Sequence, residues 1–179
     1  MQNFFLLLAS FVFYGWWDIR FLSLLILSTC IDFFIGRFLH YSNDEYKRKI
    51  LLFISIFSNL GILAFFKYFN FFIDNLTIAF SFFGMPFHFR SLEIILPVGI
   101  SFYTFQTMSY TIDIYRRRMQ PTSDLIAFSA YVSFFPQLVA GPIERAKNLL
   151  PQFFIKRHFD YSQAVNASKQ ILWGFLKKL

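Results

Sequence analysis

The sequence predicts an all-α fold: a polytopic membrane helical bundle with a re-entrant or broken helix, incomplete relative to a whole domain of that kind. Three observations carry that expectation. Only 15% of the 179 residues are charged and 56% are hydrophobic, whereas a soluble domain usually carries about 25% charge. The apolar residues fall in long runs nearly free of charge, each close to the length that crosses a ~30 Å hydrocarbon core. The basic residues, which give a net charge of +7, sit in short clusters between those runs. That is the pattern of cytoplasmic membrane loops rather than of a nucleic-acid-binding surface.

Met1 to Trp17 is free of charge and reads as a first span, with Trp16 and Trp17 at the headgroup level. It has no basic leader and no small-residue cleavage site, so it reads as a retained helix. Phe21 to Leu39 forms a second span and His40 to Lys49 a polar loop with its basic residues at the end. Ile50 to Phe66 forms a third span. Phe71 to Phe89 is interrupted by Asp74, Asn75, Gly84 and Pro86, which suits an interfacial or re-entrant helix. Residues 94–112 form another span, followed by Arg116, Arg117 and Arg118. Leu125 to Ile143 is as long but carries Pro136, Gly141 and Pro142, and a final apolar helix begins near Ala164. No repeat, low-complexity tract, heptad pattern or flexible linker divides the chain, so residues 1–179 read as one membrane domain.

Placing the 37–49 cluster in the cytoplasm puts the N-terminus inside as well, and with it Arg116 to Arg118. The basic residues Arg145, Lys147, Lys156 and Arg157 then stay inside only if residues 125–143 dip in and turn back near Gly141-Pro142. The sequence therefore predicts a re-entrant hairpin there.

Among polar residues, Asp32 lies mid-span, where an ionisable group costs at least ~2.5–3.5 kcal/mol and needs a partner facing the bundle. A proton relay and a structural hydrogen bond both suit it. The 94–112 run carries Ser101, Tyr103, Thr104, Gln106, Thr107, Ser109, Tyr110 and Thr111, too many polar groups to face lipid. Close helix packing and the lining of a hydrated cavity account for them equally. The single Cys30 excludes a disulfide framework or a cysteine metal cluster. His40, His88 and His158 all lie outside the apolar spans, so no buried imidazole presents itself as a general base. No metal-ligand spacing or phosphate-binding glycine loop occurs.

The segments YGWW (Tyr14–Trp17), FFKYFNFF (Phe65–Phe72), LPVGISFYTFQTMSYTIDIYRR (Leu96–Arg117) and FFPQLVAGPIERAKNLLPQF (Phe134–Phe153) resemble the membrane-bound O-acyltransferase family, over almost the whole chain. The closest likeness is to its bacterial branch, which acylates cell-envelope polymers. The resemblance implies transfer of an acyl group, most plausibly acetyl, to hydroxyls of an envelope polysaccharide such as alginate. It implies an acyl donor, acyl-CoA or an acyl carrier, on the cytoplasmic side. It also implies a bilayer of the inner membrane as surroundings, and accessory envelope proteins as partners. The family's catalytic histidine lies in a W-x-x-W-H segment that nothing here matches, so no catalytic residue is carried over. The chain reads as the N-terminal portion of a longer enzyme, inactive alone.

The scaffold and funnel candidates are Asp32, Gln106, Pro136, Gly141, Pro142, Glu144, Arg145 and Lys147. Arg145 and Lys147 suit either an anionic acyl carrier or a plain cytoplasmic anchor on anionic lipid headgroups. Two other readings stay open: a transporter or channel fragment with Asp32 on its pathway, and a non-catalytic remnant that binds partner subunits.

Overall fold

A computed structural model describes residues 1–82, 95–141 and 144–178. Among them every regular element is helical. The first hairpin pairs α1 (Gln2–Trp17) with α2 (Ile19–Tyr41). Asp18 between them is extended, and its carboxylate accepts a hydrogen bond from the Arg20 backbone N–H at 2.8 Å. This satisfies one of the donors that a helix start leaves open. The same carboxylate pairs with the Arg20 guanidinium at 2.8 Å, which holds the Asp18 carboxyl below the usual carboxylate range.

The helix α3 (Glu45–Leu63) starts on an Asp44 cap. It continues without a break through a π turn (Ala64–Tyr68) into α4 (Phe69–Phe82). Here the sequence expectation needs correcting. Residues 50–66 and 71–82 are not two elements, and Asp74 and Asn75 do not interrupt the helix. Asn75 donates to the Phe71 carbonyl at 2.6 Å and Thr77 to that of Ile73 at 2.8 Å. Polar side chains that bond back to their own helix add no break. Gly84, Pro86 and His88 lie outside the described residues.

The polar loop expected at 40–49 is also shorter than expected: His40 lies in the last turn of α2, and only residues 42–44 connect α2 to α3. The central helix α5 (Ile100–Tyr115) begins later than the 94–112 run suggested. Pro97 and Gly99, the latter left-handed at φ 74°, hold residues 95–99 out of the helix.

Among the described residues, two helices are long and apolar enough to cross a membrane, Ile19–Tyr41 and the continuous Glu45–Phe82. At 16 residues each, α1 and α5 are only about 24 Å long at 1.5 Å per residue. α5 packs between α2 and α3, and α1 packs on α2 and on α6 (Leu125–Val132). The buried stripe of α2 runs Phe21, Leu25, Ser28 and Thr29, Asp32, Ile35 and Gly36, Leu39, the spacing of one helix face. Its exposed face, with Leu27, Phe34 and Phe38, is no less apolar.

The Gln2 side-chain amide pairs with the Arg157 backbone in both directions, at 2.9 and 3.0 Å. Asn3 donates to the Phe153 carbonyl at 2.7 Å. The start of α1 therefore lies at the same end as residues 153–157. Arg48, at the start of α3, joins the ends of α2 and α5 there, so the clusters at 37–49, 116–118 and 145–157 share one end. Trp16, Trp17 and residues 95–99 lie at the other.

Candidate functional site: a polar seam and a returning hairpin

Three helices meet on a polar seam. Asp32 of α2, fully buried, accepts from Ser55 Oγ at 2.6 Å and from Asn59 Nδ2 at 2.7 Å, both on α3. Asn59 in turn accepts from Ser28 Oγ at 3.1 Å and from Thr107 Oγ1 of α5 at 3.3 Å. Ser55 and Thr111 hydroxyls lie 3.0 Å apart. Each carboxylate oxygen thus has a neutral donor, and among the described residues no cation pairs with Asp32. A buried network whose members satisfy one another fixes helix register, and removing a member leaves a costly orphan. The hydroxyls of Ser10, Tyr103 and Thr104 are also buried and find no partner among the described residues.

The 125–153 stretch is a helix that goes in and comes back. α6 starts on the Asp124 cap and stops at Val132; α7 (Phe135–Ala140) then resumes it at an angle. Pro136, exposed in the first turn of α7, has no N–H to give to the Val132 carbonyl, so a continuous helix would lose that bond. The Tyr131 carbonyl instead accepts from Gln106 Nε2 at 2.9 Å. Gln106 is a clamp on the break. α7 reaches the far part of the bundle, where Phe135 packs on Phe13 with rings 5.4 Å apart. The helix expected to break at Gly141-Pro142 thus bends first at Ser133-Phe134 and ends at Gly141, which is extended. A Cβ there would sit 2.7 Å from Gln137 Cα, so only glycine fits. Pro142 lies outside the described residues.

The chain then returns. The Tyr131 hydroxyl donates to the Glu144 carbonyl at 3.4 Å. Residues 146–153 form α8 (Ala146–Leu149) and a 3-10 turn. Lys147, Leu150, Pro151 and Phe154 share a cleft of about 460 Å³ with residues 119–123, just before α6. Both flanks of the hairpin therefore stand at the basic end of the bundle. Glu144 is half-buried, and Arg145 and Lys147 are exposed at this rim. Neither basic residue has an ion-pair partner among the described residues.

Of the sequence-predicted residues, the structure places Pro136 and Gly141 on the hairpin, Gln106 of α5 against it, and Glu144, Arg145 and Lys147 on its returning flank. Asp32 stands apart in the seam. Sequence reasoning missed Arg48, which it grouped with its exposed neighbours Lys47 and Lys49. Arg48 is buried and donates to the carbonyls of Leu39, of Tyr115 at 2.7 Å and of Ile114 at 3.4 Å. Its guanidinium also lies 5.5 Å from the Tyr115 ring centroid. It closes the C-terminal ends of α2 and α5, where free carbonyls and the helix dipole favour a cation. No signal in the sequence marks this role, since Arg48 stands between two exposed lysines.

No family model matches the chain, and no solved structure does. Curated relatives match nearly all of it. The chain is 38% identical over 179 residues to the "Probable alginate O-acetylase AlgI" of Pseudomonas aeruginosa, covering 99% of this chain and 34% of that protein. It is 36% identical over 179 residues to the protein of that name from Azotobacter vinelandii, again over 99% of this chain and 36% of the relative. It is 32% identical over 172 residues to the "Peptidoglycan O-acetyltransferase" of Helicobacter pylori, over 83% of this chain and 32% of the relative. The chain spans about a third of the length of these relatives.

Proposed function

We propose that this chain, whose likeness to the membrane-bound O-acyltransferases its curated relatives bear out along 99% of its length, serves as part of such an enzyme. In this reading the enzyme moves an acetyl group from a cytoplasmic donor, acyl-CoA or an acyl carrier, to a hydroxyl of a cell-envelope polysaccharide. The observation that carries the reading is the 38% identity to an alginate O-acetylase. The relative named for peptidoglycan O-acetylation extends the acceptor class to envelope glycans generally. The bundle sits in the inner membrane with several crossings and its basic end in the cytoplasm, as the shared location of the basic clusters suggests.

In the reaction the acceptor oxygen attacks the donor carbonyl, its proton passes to a base, and the donor's carrier leaves. This chain supplies the scaffold of that reaction: the hairpin bent at Ser133-Phe134, held by Gln106, with Arg145 and Lys147 at the donor's side. The resemblance assigns the base to a W-x-x-W-H segment that nothing in this chain matches. The test is genetic and chemical. Deleting the gene that encodes this chain should remove ester-linked acetate from the envelope polysaccharide, measured as acetate released by mild alkali, and complementation should restore it. Unchanged acetate release would overturn the reading.

A further inference from the structure

A second feature of the basic end is a polar cavity of about 380 Å³ between the 42–44 connection and the end of α5, within the size range of small-ligand sites. His40, Ser42, Asn43, Arg48, Arg117 and Arg118 contribute to its wall, and no carboxylate does. The charge of Arg48 is answered, since its guanidinium is engaged by the carbonyls of α2 and α5. Arg117 and Arg118 are not answered: among the described residues the ion pairs are Asp18–Arg20 and Asp44–Lys47, and neither guanidinium joins them.

The backbone holds these two arginines in place. Arg117 is left-handed at φ 57°, a conformation uncommon for a residue with a side chain. Its N–H donates to the Ile114 carbonyl at 2.9 Å, and the Arg118 N–H donates to that of Asp113 at 2.8 Å. The end of α5 is thus wound so that two consecutive arginines line one cavity, with Ser42 and Asn43 also in its wall.

We propose that this cavity is a binding site for a phosphate group, taken either from an anionic phospholipid headgroup or from a soluble phosphate compound. Guanidinium matches phosphate with paired N–H donors, and a wall of cations without acids leaves the pocket short of negative charge until an anion enters. The position at one end of the bundle, where α2 stops and α3 starts, is headgroup depth for a chain that spans a bilayer. The site does not depend on the acyl-transfer reading.

The test uses the membrane-extracted protein and its melting temperature at fixed ionic strength. One arm adds inorganic phosphate, with sodium chloride as the control. The other reconstitutes the protein in phosphatidylcholine vesicles with or without phosphatidylglycerol. A ligand near 100 times its dissociation constant should raise the melting temperature by several degrees, roughly 3 °C or more. Arg117→Gln with Arg118→Gln should abolish the rise, and Arg117→Lys with Arg118→Lys should keep only part of it, because an ammonium supplies the charge without the paired donors; both residues are exposed, so neither pair disturbs the core. A rise with phosphate alone identifies a soluble phosphate compound, and a rise with phosphatidylglycerol only identifies the lipid. No rise in either arm, or a rise that survives the glutamine pair, overturns the proposal.

Discussion

Arg48 and Asp32 both carry ionisable side chains withdrawn from solvent, and the fold answers each through neutral partners. Arg48 is met by backbone carbonyls and an aromatic ring, Asp32 by a serine and an asparagine. Replacing Arg48 with Met would leave the ends of α2 and α5 with carbonyls that have no donor, at a cost of about 2–3 kcal/mol. The Arg48→Met protein should melt well below the wild type in detergent, and an unchanged melting temperature would remove Arg48 from its role. Gly36 sets a second constraint of the same scale. A Cβ there would lie 2.7 Å from Tyr110 Cε1 and 3.0 Å from Ile114 Cδ1, so α2 and α5 could not cross as closely. Gly36→Ala should destabilise by about 1–3 kcal/mol through overpacking, read by the same thermal assay.

At the scale of the element, α6 and α7 show how a helix is bent and then kept bent. The Gln106→Leu substitution preserves size and removes the donor to the Tyr131 carbonyl, which should cost about 1–3 kcal/mol. Amide exchange at residues 128–135 should quicken in that variant while α2 and α3 stay protected; uniform protection would show that the bend needs no clamp. The last helix, α9 (Tyr161–Lys178), begins at Tyr161 rather than near Ala164 because Asp160 caps it. Its carboxylate accepts from the Ser162 hydroxyl and backbone, both at 2.9 Å, and from the Gln163 N–H at 3.2 Å. The Ser162 hydroxyl above all holds the Asp160 carboxyl below the usual carboxylate range. A depressed pKa means that the cap stabilises fully above the unfolded value near 3.9 and is lost as pH falls through the folded one. Fraying at residues 161–164 should therefore increase below about pH 4. It should be pH-independent in Asp160→Ala, as followed by exchange or NMR shifts.

At the scale of the whole molecule, the basic clusters at 37–49, 116–118 and 145–157 gather at one end. Reporter fusions check the orientation this suggests: alkaline phosphatase should be inactive when joined after Asn43 or Ser123 and active when joined after Asp18. The reverse pattern would invert the bundle. Much of this organisation was legible in the sequence. Asp32 had to find partners, the polar 94–112 run had to turn inward, and the basic residues after Gly141 required a chain that turns back. The unread parts have a common cause. On α2 the outward Leu27, Phe34 and Phe38 are as apolar as the inward Phe21, Leu25 and Leu39, so periodicity could not separate the faces. The same uniformity hid Gly36 among apolar neighbours. Asp74 and Asn75 read as a break because sequence alone does not show that Asn75 bonds its own helix. Arg48 was misread because its neighbours Lys47 and Lys49 are truly exposed.

The pairing of Gln2 and Asn3 with residues 153 and 157 has a consequence in time. α1 leaves the ribosome well before its clasp can close, because the groups that receive its opening residues are made some 150 positions later. At 5–20 residues per second the delay is roughly 8 to 30 seconds. Early in that interval α1 has its hairpin neighbour α2, and its seat on α6 follows only once residues 125–132 are made. The clasp is therefore a late lock, joining two segments that are synthesised far apart in time.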